Sequence, residues 1–254
     1  MRTTPWIWLL VLVSTSCIAG SFDIDGVRFF YRAPSRASRT SRIMVLFGGR
    51  NWTGDKTLMV FHFDDLAERH NLFLLSPSFK NREYWEPEKW SGKTLQRAIS
   101  ALCRKYQLRE GRVFFYGYSA GGQCSALFYN WMPEQVAAWG LHGCGVYPDR
   151  VCCAKAPALI TCGVNDKERF QISRNFVYRY RETGGDLLWK PFLRNGHELN
   201  REALELAKAW FDALLSGDRA LCYGEDETGQ IGGNIDIEFR NPLYNKKIME
   251  LWKR

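Results

Sequence analysis

The segment Gly117-Tyr118-Ser119-Ala120-Gly121 sets a hydroxyl midway between two glycines. An apolar run, Val113–Tyr116, precedes it, and small and apolar residues suited to a helix follow. A serine hydroxyl attacks a carbonyl carbon only when a base takes its proton. A strand, a tight turn and a helix start built from small residues lift such a hydroxyl clear of a sheet at a helix N-terminus. With Gly and Ser each at about 7%, the bare pattern arises by chance in about one chain in ten of this length. The strand-turn-helix context and the further Gly122 are therefore the stronger signal.

The serine needs a base, and the base needs an acid that orients it, following in the order Ser, Asp/Glu, His. Of four histidines, His197 in Asn195-Gly196-His197-Glu198 lies after the last expected strand, which makes it the candidate base. His142, at the end of another strand, is its rival or a residue shaping the pocket. His62 and His70 fall in a helical region with a packing or surface role. Asp166 in Thr161-Cys162-Gly163-Val164-Asn165-Asp166 is the candidate acid, with Glu168 and Asp186 as alternatives and a plain helix cap as the non-catalytic reading. The spacings are 166 − 119 = 47 and 197 − 166 = 31 residues. A strand, a helix and a strand fit in each.

A tetrahedral intermediate also needs two fixed N–H donors. Ala120 supplies one candidate, and Gly49 in Gly48-Gly49-Arg50-Asn51-Trp52 the other. The substrate-contact candidates are Arg50, Asn51, Trp52, Tyr118, Trp85 and His142. Arg50 would meet an acidic or hydroxyl-bearing group, or else pair with Asp55 or Asp64. The loops Gly48–Thr53 and Pro77–Gly92 would wall the pocket, the second with Phe79, Tyr84, Trp85 and Trp90. Aromatic rings there can stack on a ring or a sugar face.

The elements that must position these residues read as alternating short apolar runs and amphipathic stretches, the pattern of a mostly parallel sheet with helices on both faces. Expected strands are Ile43–Phe47, Leu72–Ser76, Val113–Gly117, Ala137–Leu141, Ala158–Cys162 and Leu187–Leu193, with Val27–Tyr31 as a leading edge. Expected helices are Thr57–His70, Thr94–Tyr106, Ala120–Trp131, Phe170–Glu182 and Glu202–Leu215. The catalytic candidates then all follow strands, at the carboxyl edge where open parallel sheets bind ligands. One domain is expected over 21–215, with 216–254 an extension that packs on it.

The strand, Gly-rich loop, Gly-Tyr-Ser-Ala-Gly-Gly, Gly-Val-Asn-Asp and Asn-Gly-His together resemble the α/β-hydrolase superfamily over about residues 27 to 215. The compact form is similar to exported serine esterases of the polyhydroxybutyrate-depolymerase and feruloyl-esterase kind. The resemblance implies a Ser119-His197-Asp166 hydrolase of carboxylic esters with no metal or organic cofactor. Phe47 departs from the His that many esterases carry before the Gly pair. The segment between His142 and Ala156 is too short for a large helical lid, so short or aromatic acyl groups, on small molecules or on a polymer such as carbohydrate, are expected over long chains. A serine peptidase of the same fold and a non-catalytic carbohydrate-binding protein are the alternatives.

The 254 residues, 46% hydrophobic with a formal charge of +8, exclude a disordered chain and supply an ample core. The basic residues are scattered, so no nucleic-acid partner is expected. Arg2, the apolar run Trp6–Val13 and the small residues Ser14–Gly20 read as an export signal over residues 1–20, with cleavage near Ala19 or Gly20 or lipid attachment at Cys17. The protein is expected in the periplasm or secreted, meeting a membrane only through such a lipid. Seven further cysteines show no zinc spacing, and Cys144 with Cys152 or Cys153 could bridge one loop.

Overall fold

The computed structural model describes residues 18–80, 83–151, 156–226 and 228–253. Eight strands form one sheet: β1 (Ile18–Ile24), β2 (Val27–Ala33), β3 (Arg42–Phe47), β4 (Leu72–Pro77), β5 (Val113–Tyr118), β6 (Val136–His142), β7 (Ala158–Gly163) and β8 (Leu187–Phe192). Their order is β1-β2-β4-β3-β5-β6-β7-β8, antiparallel at β1/β2 and β2/β4 and parallel from β4 to β8. Strands covered on both faces bury every residue, so β4 and β7 read as continuous apolar runs rather than alternating ones.

The period-two pleat still sorts those side chains into two cores. Val45, Phe47, Phe115, Leu141 and Ile160 pack beneath α3 (Gly92–Tyr106), α4 (Ala120–Trp131) and α5 (Lys167–Glu182). On the opposite face Met44, Leu46, Phe114, Tyr116 and Leu159 pack against α1 (Gly54–Phe61), α2 (Asp64–His70), α6 (Arg201–Ser216) and α7 (Lys246–Lys253).

Two expectations are corrected. Thr57–His70 is not one helix: α1 ends at Phe61, and His62 sits at φ 52° before α2 begins at Asp64. Phe61 and Phe63 are both fully buried, and on one continuous helix they would point about 200° apart. The break lets both enter the core, where Phe61 and Phe63 lie 5.4 and 5.5 Å from the Tyr116 ring. Nor is Val27–Tyr31 the edge, because β1 pairs outside it through a two-residue Asp25-Gly26 turn with φ of 51° and 76°. The cleavage positions expected near Ala19 and Gly20 fall within β1.

At the other edge, residues after α6 form a three-stranded sheet of β9 (Cys222–Glu225), β10 (Ile231–Gly232) and β11 (Arg240–Leu243). These residues meet the open side of β8. Trp189 N–H donates to Asn241 Oδ1 at 2.6 Å, and Trp252 Nε1 donates to the Trp189 carbonyl at 3.0 Å. Side chains thus satisfy backbone groups that an edge strand would otherwise expose. Buried Arg181 holds the same junction through Asp226 and Asn241.

Candidate active site

Ser119 follows β5 directly, at φ 56° and ψ −120°, a region that costs a non-glycine residue about 1–3 kcal/mol. The flanking glycines explain how the turn is tolerated. A Cβ on Gly117 would stand 2.0 Å from the Gly121 carbonyl oxygen, and one on Gly121 would stand 2.0 Å from the Phe47 carbonyl oxygen. Both contacts are to backbone, so only glycine fits at either position. Ser119 N–H donates to the His142 carbonyl at 2.9 Å, and Gln123 N–H to the Ser119 carbonyl at 3.1 Å, which fixes the start of α4.

The Ser119 hydroxyl lies 2.8 Å from His197 Nε2, and His197 Nδ1 lies 2.7 Å from Asp166 Oδ2. With the carboxylate as acceptor, Nδ1 carries the proton and Nε2 is free to accept from the serine. Asp166 occupies the N-cap position of α5, yet its carboxylate makes no cap; it is spent on His197 and on Arg169 Nη1 at 3.1 Å. The other acid candidates stand elsewhere: Glu168 is in the first turn of α5, and Asp186 precedes β8 at the amino edge, where its carbonyl accepts from Ala158 N–H.

The loop bearing His197 is held from three sides. Gly163 has no Cβ, and one would stand 2.3 Å from the Gly196 carbonyl oxygen, so the loop can approach the end of β7 closely. Glu198 accepts from Asn195 Nδ2 at 2.7 Å and Gly196 N–H at 2.9 Å. Tyr118 donates its hydroxyl to the His197 carbonyl at 2.8 Å and stacks on the imidazole at 5.5 Å. Tyr118 therefore supports the base.

His142 is corrected: it is fully buried and cannot touch substrate or serve as the base. Its Nε2 lies 2.8 Å from the Glu198 carbonyl, which can only accept, so Nε2 donates. Burial pushes its pKa down to about 4, and its Nδ1 lies 2.8 Å from the Thr161 hydroxyl, which in turn lies 3.0 Å from the Leu141 carbonyl. His142 thereby ties the serine turn, through its carbonyl, to the His197 loop, through its ring.

Gly49 and Ala120 stand at the ends of β3 and β5, which are hydrogen-bonded neighbours. The turn Gly49–Trp52 closes with Trp52 N–H on the Gly49 carbonyl at 3.0 Å, and exposed Asn51 takes φ 63° at its third position. Trp52 packs on Tyr118 at 5.6 Å and carries Lys56 over its ring. Arg50 is exposed, with its guanidinium 5.9 Å from the ring of half-buried Trp85. Its sequence alternatives do not hold: Asp64 pairs with Arg32 and His62, and Asp55 with Thr53 and local N–H groups.

Of the other loop aromatics, Phe79 and Tyr84 are buried in the core, and Trp90 packs edge-on to Phe79 at 5.6 Å, so these three are structural. Phe47, the departure before the Gly pair, is buried between Phe115 and Phe128. A cavity of about 10 Å³ lies behind Gly48 and Gly49, bounded by Tyr84, Gly121 and Cys124; it holds about one water and no acyl chain. A cavity of about 800 Å³ opens at the amino ends of β3 and β5 around Arg42, Cys103, Arg109 and Arg112, at the edge opposite Ser119.

Cys144 carries a free thiol that donates to the Val146 carbonyl, and burial pushes its pKa up to about 12. The expected bridge from it is therefore absent, while Cys152 and Cys153 lie outside the described residues. Sequence reasoning missed Arg169, whose i+3 position from Asp166 in the first helical turn was its available signal, and missed Thr161 and Glu198, which had none.

No protein-family model and no curated protein matches the sequence. Solved structures do resemble the chain. The poly(3-hydroxybutyrate) depolymerase LpqC from Bordetella parapertussis matches with a TM-score of 0.63 at 15% identity, over 80% of this chain and 94% of that one. A ferulic acid esterase matches with 0.60 at 12% identity, over 79% and 96%. Poly(aspartic acid) hydrolase-1 from Sphingomonas sp. KT-1 matches with 0.56 at 18% identity, over 71% and 93%. At these identities the likeness concerns the fold, and the fold is that of the α/β hydrolases.

Proposed function

We propose that the chain is a serine hydrolase of carboxylic esters. The observation that carries this is the continuous hydrogen-bond relay from Ser119 through His197 to Asp166, at 2.8 and 2.7 Å, on a serine held in a strained turn. His197 Nε2 takes the Ser119 proton as Oγ attacks the ester carbonyl, and Asp166 stabilises the imidazolium that results. The oxygen of the tetrahedral intermediate falls to the N–H groups of Gly49 and Ala120, each such donor contributing about 2.7–4 kcal/mol. The imidazolium returns its proton to the leaving alcohol, and an acyl group remains on Ser119. Water, deprotonated by His197, then releases the acid.

The water-sized cavity behind Gly49 and the short 143–157 connection favour an open cleft and small or aromatic acyl groups, including esters borne on a polymer. The N-terminal signal pattern supports action outside the cytoplasm. A fluorophosphonate probe tests the mechanism. It should label Ser119 in the native chain, fail on Ser119→Ala, and be blocked by a short aryl ester that the protein hydrolyses. Ser119→Ala and His197→Ala should each lower kcat/KM by about 10⁴–10⁶-fold. Labelling or turnover persisting in folded Ser119→Ala refutes the proposal.

A further inference from the structure

We infer that the site prefers esters whose acyl part ends in a carboxylate, and that Arg50 is the residue that selects it; this rests on the hydrolase reading above. Sheet order sets the geometry. Ser119 follows β5, with the β7 and β8 loops that carry Asp166 and His197 on one side and the β3 and β4 loops that carry Arg50 and Trp85 on the other. His197 must protonate the departing alcohol, so the alcohol leaves toward the β8 side. The acyl part then lies toward β3 and β4, where Arg50 follows Gly49 in the chain.

Arg50 is available for this role. Among the described residues no carboxylate pairs with it. The acidic groups of the same sheet edge are mostly engaged: Asp166 by His197 and Arg169, Glu198 by Asn195 and Gly196, and Glu83 and Glu86 by Lys89. Asp149, on the loop after β6, is exposed and forms no pair with it. Trp85 steadies the flat guanidinium by a cation–π contact while leaving its N–H groups to donate, and such a fork matches a carboxylate in two parallel hydrogen bonds.

The test compares the 4-nitrophenyl monoester of adipic acid with its primary-amide counterpart, a neutral compound of the same shape. At low salt the wild type should favour the acid in kcat/KM by about ten- to a hundredfold, the range of a charge-assisted hydrogen bond. The preference should shrink as salt rises. Arg50→Gln should bring the acid-to-amide ratio close to one, and Arg50→Lys should keep only part of it because the fork is lost. Equal rates in the wild type, or a ratio unchanged in Arg50→Gln, would overturn the inference. The same two compounds titrated against Ser119→Ala separate selection from chemistry: tighter binding of the acid, abolished by adding Arg50→Gln, sustains the carboxylate site even where no ester turns over, and equal binding sinks it.

Discussion

Acidification below pH 6.5 should destabilise this protein through His142. The imidazole is fully buried, and its desolvation outweighs the help of the Glu198 carbonyl, Glu198 and Asp166, while His197 opposes its charge. Its pKa falls from 6.5 in the unfolded chain to about 4 in the native one. The neutral form is thus the native form. Above pH 6.5 neither state binds the proton and nothing is lost; between 6.5 and 4 only the unfolded state binds it, so stability falls by about 1.4 kcal/mol per pH unit. By pH 4 the total loss is about 3 kcal/mol, and below that the native state also protonates and the loss levels off. Urea unfolding at pH 7.5, 6.5, 5.5 and 4.5 should be run on the wild type and on His142→Gln, whose amide can still donate to the Glu198 carbonyl. Other titrating groups act on both chains and cancel in the difference. The wild type's advantage at pH 7.5 should narrow steadily below 6.5. A gap that stays constant down to pH 4.5 would show that His142 is not held neutral.

Two substitutions test the supports of the serine turn and of the β8 edge. Gly121→Ala drives a Cβ against the Phe47 and Gly48 carbonyl oxygens at 2.0 and 2.4 Å, so it should cost about 1–3 kcal/mol or more and abolish fluorophosphonate labelling, whereas Gly111→Ala, with open space around it, should stay within about 0.5 kcal/mol; equal urea midpoints for the two would refute the clash. Asp226→Asn leaves the Arg181 guanidinium buried without its anion and should cost about 3–5 kcal/mol by the same measurement, with Arg181→Met added to it recovering part of the loss; a neutral Asp226→Asn would mean that the pair does not fasten β8.

Legibility in the sequence followed the range of the interactions concerned. β4 and β7 announce themselves because burial on both faces demands unbroken apolar runs, a local property. Ser119, Asp166 and His197 could be named for a similar reason: each follows a strand, so its place at the carboxyl edge needs only the strand before it to be recognised. β1 escaped because Ile18–Gly20 continue an apolar N-terminal pattern, although Asp25-Gly26, the favoured two-residue hairpin turn, was there to be read.

The break at His62 was harder, since nothing local distinguishes Phe61 and Phe63 from residues of one helix; what separates them is Tyr116 and Phe211, reached only across the fold. His142 shows the same limit in the site itself. A histidine at a strand end looks like a base or a ligand contact until Thr161 and the Glu198 carbonyl, 19 and 56 residues away, close over both nitrogens. The reacting groups are thus set by local chain geometry, and the groups that hold them are set by distant contacts. It follows that a variant search guided by sequence alone would find Ser119 and His197 readily, would give His142 the wrong role, and would pass over Thr161 and Arg169, which touch His142 and Asp166.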